Sequence, residues 1–183
     1  MSNLSDKYIF QALDAYPYDL EEAVESLNYA LSYDQNNATA LGLMGEIYAE
    51  QSKNYEAAKE YYQKALAADI FAVNIYPKYI NVLLWNEDYA EAEKLIDYAL
   101  TVKGTDKGIL YVKKAIYFEQ KRAYKKALKC LKLAKSYAYN NYFINDLKEE
   151  ETRIKDKMPK KKKDKKKGAS SKKSKKHKNN KNE

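Results

Sequence analysis

The chain has 183 residues, 45% of them hydrophobic, with 34 Lys and Arg against 26 Asp and Glu, one His and one Cys. The only His, His177, lies in the Lys-rich C-terminal segment, and Cys130 is the only thiol, so no His/Cys metal cluster, Ser-His-Asp triad, Cys-His pair or internal disulfide is expected. We therefore expect no cofactor and no enzymatic activity. The chain has neither the apolar core of a secretion signal at its start nor an 18-residue apolar run, which predicts a cytoplasmic protein without a membrane span.

Charge is distributed unevenly along the sequence. Residues 1–100 hold 6 Lys against 17 acidic residues, a net charge of −11, and residues 101–157 carry +8. Residues 158–183 hold 13 Lys against two acidic residues, a net charge of +11. This last segment has almost nothing to bury, so it cannot offset the entropy lost on ordering its backbone. We predict a folded domain over residues 1–157 and a disordered polybasic tail over 158–183.

One spacing pattern recurs four times within the predicted domain. A large residue, an Ala, a large residue and a second Ala follow one another in steps of 3, 4 and 3, and successive copies start 34 or 35 residues apart. Such steps place the four positions on one stripe of a helix, and the Ala residues let a partner helix approach closely. The copies are Leu20, Ala23, Leu27 and Ala30; Tyr55, Ala58, Tyr62 and Ala65; Tyr89, Ala92, Ile96 and Ala99; and Tyr124, Ala127, Leu131 and Ala134.

A second amphipathic helix is predicted before each copy, for example over Leu41, Met44, Gly45 and Tyr48. The pattern gives helical hairpins at about 4–36, 38–71, 73–106 and 108–139. Residues 140–157 carry apolar positions on one side and charges elsewhere, as expected of a helix that caps the last repeat. Pro77 should kink its helix unless it lies in the first turn.

The segment GEIYAEQSKNYEAAKEYYQKALAADI, at residues 45–70, resembles a tetratricopeptide repeat. The resemblance implies an all-α, right-handed superhelical array of four hairpins whose first helices line a concave groove. It also implies a non-enzymatic scaffold or adaptor, a monomer that binds a peptide or protein partner in that groove.

Groove positions are carried over from this resemblance residue by residue. The set is mixed and acidic: Tyr8, Ala12, Tyr16, Glu46, Glu50, Asn81, Leu84, Trp85, Ile116, Glu119 and Gln120. Some family members grip the C-terminal carboxylate of a chaperone with Lys and Asn. Here the positions of the basic residues hold Pro77 and Ile109, so the resemblance does not predict this ligand. For Trp85, the only Trp, binding anchor and inter-repeat packing remain alternatives.

An alternative function follows from the basic residues, namely a nucleic-acid or ribosome-associated accessory protein held non-specifically by its tail. Lysines at steps of 4 and 3 share one face of the last repeat's second helix, where a merely solvated face is the other interpretation. The tail is also compatible with solubilisation or, in a eukaryotic cell, nuclear import. The candidate polyanion-binding residues are Lys125, Lys129, Lys132, Lys160, Lys161, Lys162, Lys163, Lys165, Lys166, Lys167, Lys172, Lys173, Lys175 and Lys176.

Overall fold

A computed structural model describes residues 4–159, so the predictions for the tail from Lys160 onward lie outside the described residues. The described part of the chain forms nine α-helices. They are α1 (Leu4–Ala15), α2 (Leu20–Tyr33), α3 (Ala38–Glu50), α4 (Tyr55–Ala68), α5 (Ile75–Trp85), α6 (Tyr89–Ala99), α7 (Lys107–Gln120), α8 (Tyr124–Ser136) and α9 (Asn141–Asp156).

Consecutive helices pack in pairs. The pairs α1/α2, α3/α4, α5/α6 and α7/α8 form hairpins, each even-numbered helix also contacts the odd-numbered helix that follows it, and α9 lies against α8. The predicted all-α array of four helical hairpins followed by a further helix is confirmed. Within residues 4–159 no helix combines the length and the apolar character that crossing a bilayer requires.

The repeated stripe forms the centre of each hairpin. Its two Ala positions and the large residue between them are at most 4% exposed in all four copies, and Tyr62 is 1% exposed. The Ala positions bring the paired helices close, as their small size predicts. Gly45 extends this close contact, because a Cβ atom built on it would lie 2.9 Å from two carbon atoms of the Tyr62 ring.

The turn inside a hairpin is similar in three of the repeats. Each contains one non-glycine residue in the left-handed region, Lys53 (φ 52°), Glu87 (φ 61°) or Arg122 (φ 56°), a conformation uncommon outside glycine. These residues are 34 and 35 positions apart, so the turn follows the period of the stripe. Pro77 is the third residue of α5. It therefore lies in the first turn, where the backbone N–H has no intrahelical acceptor to lose.

Candidate functional site

The inner side of the array is defined by contacts between odd-numbered helices. Helix α3 contacts α5 and α5 contacts α7, whereas no two even-numbered helices approach as extensively within residues 4–159. Because successive hairpins approach more closely on the side of their odd-numbered helices, the array is concave on that side. Helices α1, α3, α5 and α7 therefore line the concave side, and the candidate site lies along it.

Two carboxylates predicted in the groove are paired with groups of neighbouring repeats, one on α5 and one in the turn directly after α1. Glu46 of α3 forms an ion pair with Lys78 of α5, and its side chain is 18% exposed. Glu50 of α3 accepts a hydrogen bond from the Tyr16 hydroxyl at 3.3 Å. These contacts join successive repeats, and the Lys78 ammonium neutralises one of the negative charges that the sequence places in the groove.

A third predicted carboxylate, that of Glu119, is tied to the final helix. Glu119 lies on α7 with its side chain 7% exposed. One of its oxygens accepts hydrogen bonds from the Arg153 guanidinium of α9 and from the ammonium of Lys157, which directly follows α9, the latter at 2.7 Å. Burial raises the pKa of Glu119, but the hydrogen bonds from Lys157 and Arg153 outweigh burial and leave this pKa below its ordinary value. The contact fixes α9 at the end of the array.

Replacing Glu119 by Gln should lower the free energy of unfolding by about 1–3 kcal/mol, because Lys157 loses its only ion pair among the described residues and Arg153 keeps only its pair with Glu150. Since the pKa of Glu119 is lowered in the folded state, its stabilisation is present above the pKa of an unfolded Glu and is lost as the pH falls through the folded value. Urea unfolding at neutral and acidic pH measures both effects. Glu151→Gln is the control, because this more exposed residue pairs with Lys155 inside α9. Equal losses in the two variants would contradict this role of Glu119.

A hollow of about 110 Å³ lies on the concave side between α1, α3 and α5. Leu13, Gly42 and Leu43 contribute apolar surface, and the Glu46–Lys78 ion pair lies at its edge. The lack of a side chain at Gly42 keeps the hollow open, since a Cβ atom there would lie 3.2 Å from the end of Ile75. A hollow of this size accommodates a small apolar side chain.

The Lys113 ammonium, on α7, is a further feature of the concave side. It makes no ion pair or hydrogen bond with the described residues and is half-buried. Around α7, Tyr117 donates a hydrogen bond to Glu93 of α6 on one flank and Glu119 faces α9 on the other. At about 100° per residue, the Lys113 side chain points between the direction of Tyr117, toward α6, and that of Glu119, toward α9. It therefore lies on the concave face, with Ile116. Burial lowers the pKa of Lys113, because a half-buried ammonium has lost part of its hydration.

The other predicted groove residues differ in their availability. Asn81 is half-buried and Gln120 exposed, and neither side chain has a hydrogen-bond partner among residues 4–159. Trp85 is 47% exposed and lies against Tyr55 with ring centroids 5.9 Å apart, so it both packs and presents a free ring face. Tyr8 stacks on two tyrosines of α2. Its ring is therefore packed within the first hairpin and is not part of the groove proposed below.

Two other positions predicted in the groove are buried: Ala12 is fully buried and Leu84 is 3% exposed.

The predicted lysines of α8, Lys125, Lys129 and Lys132, are exposed and form no ion pair with the described residues. They lie on the side of α8 opposite the buried stripe. Cys130 is buried, and burial raises the pKa of its thiol, as in an unreactive core cysteine.

Sequence reasoning missed several residues that shape this surface: Leu13, Lys78, Lys113, Arg153 and Lys157. Arg153 and Lys157 are four residues apart on one face of α9, a spacing that could have suggested a shared acidic partner. For Lys113 no sequence signal was available, because a lysine becomes distinctive only when its partners are known to be missing.

Solved structures share this architecture. PilF from Pseudomonas aeruginosa has a TM-score of 0.68 and 20% identity over 82% of this chain and 70% of PilF. MamA from Desulfovibrio magneticus RS-1, from residue 41 to its end, has a TM-score of 0.65 and 15% identity over 85% of this chain and 92% of that chain. The ArsTM double mutant of MamA gives the same TM-score and identity, with 85% and 91% covered.

These structures are helical-repeat proteins of the tetratricopeptide type. No family model matches the sequence of this chain, and no curated protein matches it. Its fold is nevertheless that of a tetratricopeptide-type repeat array.

Proposed function

We propose that the chain is a non-enzymatic scaffold that binds an extended peptide or protein segment along its concave surface. The observation that carries this proposal is Lys113, a half-buried ammonium without a partner among the described residues. Leaving a charge partly desolvated and unpaired costs stability. A ligand that supplies a carboxylate to Lys113 recovers part of this cost on binding.

The neighbouring groups favour an extended ligand. Asn81 and Gln120 have free amide groups, which can donate to and accept from the backbone of a peptide. The hollow beside Leu13 and Gly42 accepts an apolar side chain. Stacked helices are about 8–10 Å apart, so three or four residues of extended chain, at about 3.3 Å each, connect the hollow to Lys113.

The scaffold interpretation also accounts for the paired carboxylates. Glu46 and Glu119 each link two successive odd-numbered helices, and Glu50 links α3 to the turn directly after α1. These contacts hold the lining of the groove in position. In residues 4–159 no group of His, Cys, Asp and Glu is suited to a metal ion.

The test uses peptides selected from a display library that fixes an apolar residue and places an Asp or a free C-terminus three or four residues later. We expect Lys113→Met to weaken the selected peptides by about 10-fold or more, the usual effect of removing one member of a buried charge pair. Lys129→Met is the matched control, because Lys129 is exposed on α8. Equal affinities for wild type and Lys113→Met would refute the assignment.

A further inference from the structure

A second and larger hollow lies at the C-terminal end of the array, away from the α1/α3/α5 hollow. Its volume is about 470 Å³, and it is formed by the turn between α7 and α8 and the end of α9. Its apolar lining comes from Ala123, Tyr124, Met158 and Pro159. A bulky apolar side chain fits a hollow of this size.

The rim of this hollow is cationic. Arg122, Lys125 and Lys126 line it and are exposed. Arg122 and Lys125 have no ion-pair partner in residues 4–159, and the Lys126 ammonium lies over the Phe118 ring at 5.3 Å from its centroid. The sequence continues from Pro159 directly into four lysines. An occupant should therefore combine a bulky apolar side chain with several negative charges.

The opposite end of the same chain presents a segment of this chemistry. Tyr18, in the turn between α1 and α2, is 92% exposed, the highest value among the large hydrophobic side chains of residues 4–159. Asp14, Asp19, Glu21 and Glu22 surround it in sequence, are all exposed, and form no ion pair with the described residues. This turn is an acidic surface with one projecting aromatic ring.

The two features cannot meet within one molecule. The α1–α2 and α7–α8 turns are equivalent turns of the first and fourth hairpins, so they lie along the same edge of the stack with two hairpins between them. At roughly 8–10 Å per helix layer they are tens of Å apart. Two copies placed end to end, with this edge aligned, bring the Tyr18 turn of one copy to the hollow of the next.

We propose that the chain associates head to tail, with the Tyr18 turn of one copy docked into the hollow formed by Tyr124 and Met158 of its neighbour. The net charges of −11 over residues 1–100 and +8 over residues 101–157 favour this polarity. Such a contact joins two different surfaces, so each junction leaves a free site at both ends and the product is an open chain. This assembly is an alternative to the monomer expected from the sequence.

The first experiment measures the average mass of the nuclease-treated full chain by sedimentation equilibrium. We expect the mass to rise above the monomer value at concentrations on the order of 100 µM in low salt, as for a small interface, and to return to the monomer value in about 0.5 M salt, where charges are screened. A constant monomer mass at low salt would overturn the proposal. Association that is present before nuclease treatment and absent after it would instead identify nucleic acid as the occupant of the hollow.

Variants at each surface make the test specific. Tyr18→Ser and the double variant Lys125→Glu/Lys126→Glu should each remain monomeric. Tyr139→Ser is the control for the first, because Tyr139 is also largely exposed, at 83%, but lies in another turn. Lys129→Glu/Lys132→Glu is the control for the second, because these exposed lysines on α8 are not part of the hollow. Association that survives both surface variants would overturn the proposal.

A mixture of the two monomeric variants distinguishes this contact from others. Tyr18→Ser retains an intact hollow and the lysine variant retains an intact Tyr18 turn, so one productive junction forms between them. We expect a mass that approaches a dimer and does not exceed it, while a mixture that stays monomeric would contradict a head-to-tail contact. The result is independent of peptide binding at Lys113, which is measured with other variants.

Discussion

Replacing Gly45 by Ala should lower the free energy of unfolding by about 1–3 kcal/mol, the usual cost of overpacking a core. The new methyl group would lie 2.9 Å from two atoms of the Tyr62 ring, which is 1% exposed and has no room to move. Either α3 must shift from α4 or Tyr62 must leave its position. Because α3 lines the concave side, such a shift should also weaken peptide binding.

Gly42→Ala is the matched control for this prediction. Gly42 lies one turn earlier on α3, and its new methyl group would lie 3.2 Å and 3.4 Å from two carbon atoms of the Ile75 side chain, a less severe contact than that between Gly45 and Tyr62. Both variants gain the same helix propensity, up to about 1 kcal/mol. Urea unfolding should therefore show Gly42→Ala as neutral or slightly stabilised and Gly45→Ala as clearly destabilised. Equal changes would mean that the Gly45–Tyr62 contact is not restrictive.

Lys113→Met should have opposite effects on stability and on binding. Removing a partly desolvated charge in favour of an apolar side chain should raise the free energy of unfolding by roughly 1 kcal/mol, while the selected peptides lose their anchor. Lys114→Met is the control, because the Lys114 ammonium pairs with Asp97 of α6 at 2.5 Å and its removal should not stabilise the fold. A destabilised Lys113→Met would indicate that Lys113 has a structural partner.

The pH dependence provides a second readout for Lys113. Burial lowers its pKa, so between the folded value and that of an unfolded Lys the unfolded chain binds more protons. Stability therefore gains a positive contribution from this group as the pH rises through that window. Lys113→Met should lose this contribution, which thermal unfolding of the two proteins between neutral and alkaline pH can measure.

The repeat architecture was predictable because it depends on local spacing. Steps of 3, 4 and 3 between large and small residues identify a helical stripe without any tertiary information, and the stripe residues, such as Ala58 and Tyr62, are buried as predicted. The same spacing indicated the hairpin period. Whether Pro77 kinks its helix could not be predicted, because sequence patterns locate helix starts only to within a few residues.

The concave surface was less predictable because it depends on relations between helices. In the first repeat the carried-over position Ala12 is fully buried, whereas its neighbour Leu13 lines the hollow; one residue corresponds to a rotation of about 100° around a helix. The partners of Glu46 and Glu119 come from helices more than 30 residues away. Their pairing depends on the register of the stack, which no single repeat encodes.

The concave side is the ligand-binding surface proposed for this protein. The most direct measurement is amide chemical-shift mapping of the isotope-labelled full chain during titration with a selected peptide. We expect saturable shifts clustered on α3, α5 and α7, around Lys78, Asn81 and Lys113, with the outer face of α8 unchanged. Shifts confined to the lysine face of α8 or to the hollow around Arg122, with none on the concave helices, would contradict this proposal.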